Sequence, residues 1–182
     1  MADFLTIQSP ERDLLDFEGS DLYFDEPIDE AVAALLERAQ QAQGPAEAEA
    51  LLEEAFGRAP DDLTVIVALY RFRYFRHDYA GTLPMAAEAM AAAGRRLNVP
   101  ADWRALTIED IDRAGAISMP MLRFYLWALK GEGYLLTRLG HFAEAVEALE
   151  KLRLVDRADR LGGEALLALA RERLRQDERI AP

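Results

Sequence analysis

The sequence contains no cysteine, two histidines (His77 and His141), three serines and two lysines (Lys130 and Lys151) among its 182 residues. Missing thiols exclude disulfides, thiolate nucleophiles, thiolate-held metals and iron–sulfur ligation by this chain. Positive charge is scarce. Twenty-one basic residues stand against 33 acidic ones, a net charge of −12, which disfavours a nonspecific grip on nucleic acid, since that needs a basic face to displace counterions, and disfavours an anionic membrane surface for the same reason. Long apolar runs are missing as well. No stretch approaches the roughly eighteen residues of a membrane span, and Met1-Ala2-Asp3-Phe4 lacks the basic and apolar regions of a secretory leader, so the expected location is the cytoplasm. The bases are almost all arginine and Asn98 is the lone asparagine, a skew that reads as GC-rich bacterial coding rather than as function. What is present suffices for a core: 51% of the residues are hydrophobic, and a chain of this length buries roughly 70% of its unfolded surface.

The charge is unevenly placed. Residues 1–30 hold ten acids against one base, Arg12, a net of −9, whereas residues 31–182 carry 23 acids and 20 bases, a net of −3. Phe4, Phe17, Tyr23 and Phe24 are interleaved with those acids, and Pro10, Gly19 and Pro27 interrupt any helical period. Residues 1–26 therefore read as a largely irregular arm with one short turn around Pro10–Phe17. Such an arm is either a solvated tail whose aromatics cap the nearest helix, or an acidic–aromatic linear motif, with Phe17, Tyr23 and Phe24 as its anchors, that fills a basic groove on this chain or on a partner.

From residue 27 to 182 the chain is rich in Ala, Leu, Glu and Arg, which lose little side-chain entropy in a helix, and Gly or Pro punctuates it at helix-length intervals. The expected elements are Pro27–Gln43, Pro45–Arg58, Leu63–His77, an alanine-rich helix Pro84–Gly94, and a long helix capped by Ser118 and running to Leu139. Ala143–Leu154 and an amphipathic cap Glu164–Asp177 follow. An all-α fold results.

Helix pairs joined by short turns call for a repeat search. Residues Leu126–Asp159, with Gly133, Gly140, Phe142 and Ala145, resemble a tetratricopeptide repeat, although Leu152 and Arg157 depart from the usual small residue and proline. Asp29–Asp62 gives a second frame through Ala48, Ala55 and Pro60, with Pro45 in place of the turn aromatic. Leu63–Arg96 gives a third through Leu69, Asp78-Tyr79 and Ala89. The resemblance implies stacked antiparallel helix pairs, each burying its apolar face against a neighbour. An insertion, about 97–125, interrupts the stack and contains Pro100–Leu106 and a short helix capped by Thr107. Trp103 there is either a partner contact or a plug in the stack.

Chemistry of the usual kinds is absent. His77 and His141 fall at separate turns, outside any spacing that would place two ligands on one helical face. Ser9, Ser20 and Ser118 lack a nucleophile-elbow context, and Gly131-x-Gly133 and Gly162-Gly163 lack the Lys-Ser/Thr of a phosphate loop. Acid pairs such as Asp110/Asp112 and Glu53/Glu54 read as solvated faces. Neither a metal nor another cofactor is expected, and the chain reads as non-enzymatic; an enzyme using acids around Trp103 is the alternative of a different class.

In tetratricopeptide proteins the groove is lined by one stripe of each first helix. Carried onto this sequence, the resemblance assigns Glu30, Ala33, Glu37, Gln40 and Gln41, then Thr64, Val67, Arg71, Tyr74 and Phe75, then Trp127, Lys130, Tyr134, Thr137 and Arg138. Aromatics beside cations are the residue types of binding hot spots, so Arg71, Tyr74, Phe75, Trp127, Lys130, Tyr134 and Arg138 form the candidate groove for an acidic or amphipathic peptide. Tyr74, Phe75 and Trp127 could instead be stacking residues of the core. The strings Leu63–Tyr79, Pro100–Leu106, Leu122–Gly131 and Asp159–Gly163 also resemble the nitrogenase-associated factor T family of nitrogen-fixing bacteria. That resemblance implies an accessory protein docking on the molybdenum–iron protein of nitrogenase during maturation, damage or stress, with no metal site of its own. A general scaffold or co-chaperone, and a structural protein self-associating through its arm, are the other readings.

Overall fold

In the computed structural model, residues 27–100 and 102–180 are described, and the arm with its Pro10–Phe17 turn lies outside them. The described residues form eight α-helices and one 3₁₀ turn, with no strand among them. Helix α1 (Glu30–Gln41) starts three residues later than expected, because the Asp29 carboxylate accepts from the Ala31 and Val32 amides and so fixes the first turn. Helix α2 (Pro45–Arg58) opens on the expected proline, and α3 (Leu63–Phe75) is capped by Asp62. The fourth helix corrects the sequence reading most. Instead of Pro84–Gly94, α4 spans Tyr79–Leu97, with Asp78 accepting from Gly81 at its start and left-handed Asn98 at its end. Proline84 interrupts the backbone ladder inside the helix rather than opening it.

The connection between α4 and the next long helix holds the 3₁₀ turn Trp103–Ala105 and α5 (Ile108–Ile117). Thr107 and Asp110 form a reciprocal capping box there, and α5 runs 10 residues, beyond the short helix Ile108–Asp112 expected. Ser118 ends α5 and caps α6 (Met119–Leu139). Residues 119–125 therefore belong to the long helix, and Leu97 to α4, so the insertion is shorter than the sequence suggested. Left-handed Gly140 closes α6. Helix α7 (Phe142–Val155) and α8 (Glu164–Ile180) follow, the last running three residues beyond the expected cap.

Helices pack mainly on their sequence neighbours, and α4 meets α6 directly because α5 stands to one side. Three apolar clusters share Phe56, Leu36, Leu83 and Tyr134 at their borders and so form a continuous core. Tyr125, Ile66, Leu69, Leu129, Leu135 and Leu149 are its largest fully enclosed members, each stabilising the fold by about 1.5–3 kcal/mol through burial. Helices α6 and α7 approach closely at Gly133, where a Cβ would lie 2.5 Å from Leu149 Cγ; only hydrogen lets them meet there. No helix among the described residues is long and apolar enough to cross a membrane.

Candidate functional site

Five of the seven groove residues gather where the C-terminal halves of α3 and α6 meet. Tyr74 of α3 is the hub. Its ring stacks on Tyr70 at 6.0 Å, meets Phe75 edge-on at 5.7 Å, and approaches Tyr134 of α6 at 5.9 Å. Tyr79, the first residue of α4, meets Tyr74 at 6.0 Å and Tyr134 at 6.3 Å, which closes a three-helix aromatic cluster. Helical spacing accounts for the α6 contribution, since Tyr134 and Arg138 are one turn apart.

Two arginines cover this cluster. The Arg138 guanidinium lies 4.8 Å over Tyr79 and 5.9 Å from Tyr134, and donates to the Tyr134 hydroxyl at 3.3 Å. Arg71 lies 5.9 Å over Phe75, whose side is 59% exposed. Among the described residues neither arginine has a carboxylate within ion-pair distance. Arg73, two positions along the same helix, shows the contrast: it pairs with Glu49 at 3.2 Å and Glu53 at 2.6 Å and donates to the Gly81 carbonyl. Arg73 ties α2, α3 and α4 together, whereas Arg71 and Arg138 lie over aromatic rings instead. Burial and the neighbouring Tyr134 hydroxyl raise the Tyr79 phenol above its ordinary value, with Arg138 opposing, so it remains a neutral hydroxyl at physiological pH.

The remaining groove residues are placed differently. Trp127 stands two turns before Tyr134 on α6, partly buried. Lys130 donates from Nζ to the Leu161 carbonyl at 2.8 Å and so anchors the loop before α8. Val67 belongs to the core, while Thr64, Glu37, Gln40 and Gln41 are exposed. Phe17, Tyr23 and Phe24 lie outside the described residues.

Trp103 is buried within the fold. Only 5% of it is exposed, its indole N–H donates to Glu132 at 3.1 Å, and Arg104 covers its ring at 4.2 Å while pairing with Glu147. Lys151 Nζ donates to the Arg104 and Leu106 carbonyls, which staples the insertion to α7. Burial pushes the Glu132 carboxyl up, against the Trp103 hydrogen bond and the Arg104 charge. The Tyr125 phenol is pushed up by burial and by Glu132, and its enclosed hydroxyl has no partner among the described residues.

Sequence reasoning missed Tyr79, Tyr70 and His77. Tyr79 was visible as a turn aromatic, but an expected helix start at Pro84 left it in a loop. His77, at φ 61°, meets the Tyr79 hydroxyl through Nδ1 at 2.9 Å, an arrangement that the turn geometry alone creates. Among the described residues no group of three or more His, Asp or Glu could hold a metal ion.

No protein-family model matches the chain, and no solved structure matches it significantly. A 19.8 kDa protein of Azotobacter chroococcum mcd 1, designated by its place in the 5′ region of nifW, is 44% identical over 161 residues, covering 88% of this chain and 89% of that protein. Similarity of that extent, spread over nearly all of both chains, means that the chain belongs to the same family as this Azotobacter protein.

Proposed function

We propose that this protein is a non-enzymatic, tetratricopeptide-like interaction module serving nitrogen fixation, which captures an acidic or amphipathic segment of a protein partner on the Tyr74–Tyr79–Tyr134 cluster. The leading candidate partner is the molybdenum–iron protein of nitrogenase, bound during maturation, damage or stress. The observation that carries the reading is the pair Arg71 and Arg138, stacked on aromatic rings and without carboxylate partners among the described residues, on a chain of net charge −12. Cations held over aromatic faces keep their orientation and shed part of their water, and aromatic–arginine groups dominate binding energy where they are buried by a partner. Position beside nifW in the Azotobacter relative supports the link to nitrogen fixation. Trp103 and Lys130 are left out of the binding set, because each is already committed within the fold.

The test is affinity capture with the tagged full chain from its native bacterium, grown with and without fixed nitrogen. Recovery of nitrogenase subunits only from the nitrogen-fixing culture, lost with Arg71→Glu/Arg138→Glu, is the expected result. Capture unchanged by that double substitution overturns the groove. Enrichment of another complex in both cultures overturns the nitrogenase assignment.

A further inference from the structure

The aromatic–arginine cluster has a ligand of the right chemistry within its own chain. Residues 1–26 carry eight acids and one base, with Phe4, Phe17, Tyr23 and Phe24 spaced among them. That composition complements a surface of exposed aromatic edge and unpaired guanidinium. We propose that the segment Asp13–Phe24 of the same molecule occupies the cluster, its carboxylates on Arg71 and Arg138 and its aromatics against Phe75 and Tyr74. This occupancy does not rest on the client-binding reading above.

Geometry permits it. Ile28 and Val32, at the start of α1, pack in one cluster with Ala59 and Val65, so the chain enters the fold beside the N-terminal end of α3. The cluster lies at the other end of α3, a helix of 13 residues, about 20 Å away at 1.5 Å per residue. About six extended residues span that distance at roughly 3.3 Å each. Six residues counted back from Ile28 end at Leu22, so the chain preceding it, with Asp16, Phe17, Glu18 and Asp21, is long enough to reach Arg71 and Arg138.

Tethering makes even a weak contact effective. A short flexible link holds its ends at an effective concentration on the order of millimolar, so a local dissociation constant of ~100 µM gives about nine-tenths occupancy. A partner competing for the same cluster then binds about tenfold more weakly than it would to an open site.

The absence of cysteine makes the test clean. Ser20→Cys in the full chain takes a single nitroxide spin label, and amide signals of the isotopically labelled protein are compared before and after reduction of the label. Selective broadening of Phe75, Tyr79 and Arg138 amides, with α8 unaffected, is expected. Arg71→Glu/Arg138→Glu in the same chain should relieve it while the circular dichroism spectrum stays unchanged. Broadening spread evenly over the surface, or confined to another face, overturns the proposal. A mixture of spin-labelled, isotopically unlabelled chain with label-free, isotopically labelled chain should show no such broadening; if it does, the occupant is a second copy and the intramolecular contact is wrong. No partner is present in these samples. Failure to capture nitrogenase with broadening intact would therefore remove the client and leave the arm in place, and the converse would remove only the arm.

Discussion

Glu132 shows how a single side chain links the insertion to the stack. Its carboxylate accepts the Trp103 indole N–H, and burial raises its pKa above the ordinary value of 4.5. A raised value means that the native state holds this proton at a pH where the unfolded chain has released it. The sign follows: stability contributed here falls as pH rises from the unfolded value through the native one, and recovers on acidification. Glu132→Gln keeps an oxygen for Trp103 and removes the titration, so the acid side of the stability–pH profile should lose this slope, as thermal denaturation at several pH values would show. Glu132→Ala leaves the indole N–H buried and unpaired, which should cost about 1–3 kcal/mol. Equal behaviour of the two variants would mean that the hydrogen bond contributes nothing.

Elements in this protein are positioned by a few close contacts and caps. Gly133→Ala pushes a methyl to within 2.5 Å of Leu149 Cγ across the α6–α7 contact, and overpacking of that kind costs about 1–3 kcal/mol. Gly57, inside α2, has nothing within 4 Å of its missing Cβ. The same substitution there should stabilise by about 0.5–1 kcal/mol, since alanine restricts the unfolded chain and favours the helix. Opposite shifts of the urea midpoint for the two variants are expected. Thr107→Ala removes the capping box of α5 at a cost of about 1 kcal/mol. Because α5 buries little beyond Ala114, the loss should appear as faster amide exchange confined to 107–117, with the core helices keeping their protection.

At the scale of the whole molecule, the proposed function sets a net charge of −12 against Arg71 and Arg138 over their aromatic rings, and on that proposal repulsion by acids elsewhere would direct an acidic segment to these two cations. Capture should therefore weaken as salt is raised from about 0.1 M to 0.5 M, where charges are screened within a shorter distance; titration of binding against sodium chloride checks this. Salt-independent capture would place the binding energy in apolar contact alone. Substitution of Arg71 alone and of Arg138 alone should each lose part of the affinity and the double reversal all of it, since each covers a different ring of one aromatic cluster.

The local content of this fold was written in the chain. Asp29, Asp62, Asp78, Thr107 and Ser118 cap the helices they precede because their side chains reach amides two or three residues on, and Gly140 ends α6 because its left-handed backbone favours a residue without Cβ. The tetratricopeptide resemblance assigned Arg71, Tyr74, Phe75, Tyr134 and Arg138 to one surface, while helical spacing by itself relates Arg71 only to Tyr74 and Phe75 on α3 and Tyr134 only to Arg138 on α6. Where α4 begins was not legible, since Pro84 signals a first turn in sequence, while Asp78 and the packing of buried Thr82 and Met85 set the start five residues earlier. That shift carried Tyr79 from a loop into the cluster. Equally invisible was the division of labour among cations: spacing treats Arg71, Arg73, Lys130 and Arg138 alike, and only the tertiary arrangement gives Arg73 two carboxylates and Lys130 a carbonyl. Periodicity reports which face a side chain occupies; which groups satisfy it is decided by residues distant in sequence, and these meet only when the helices pack.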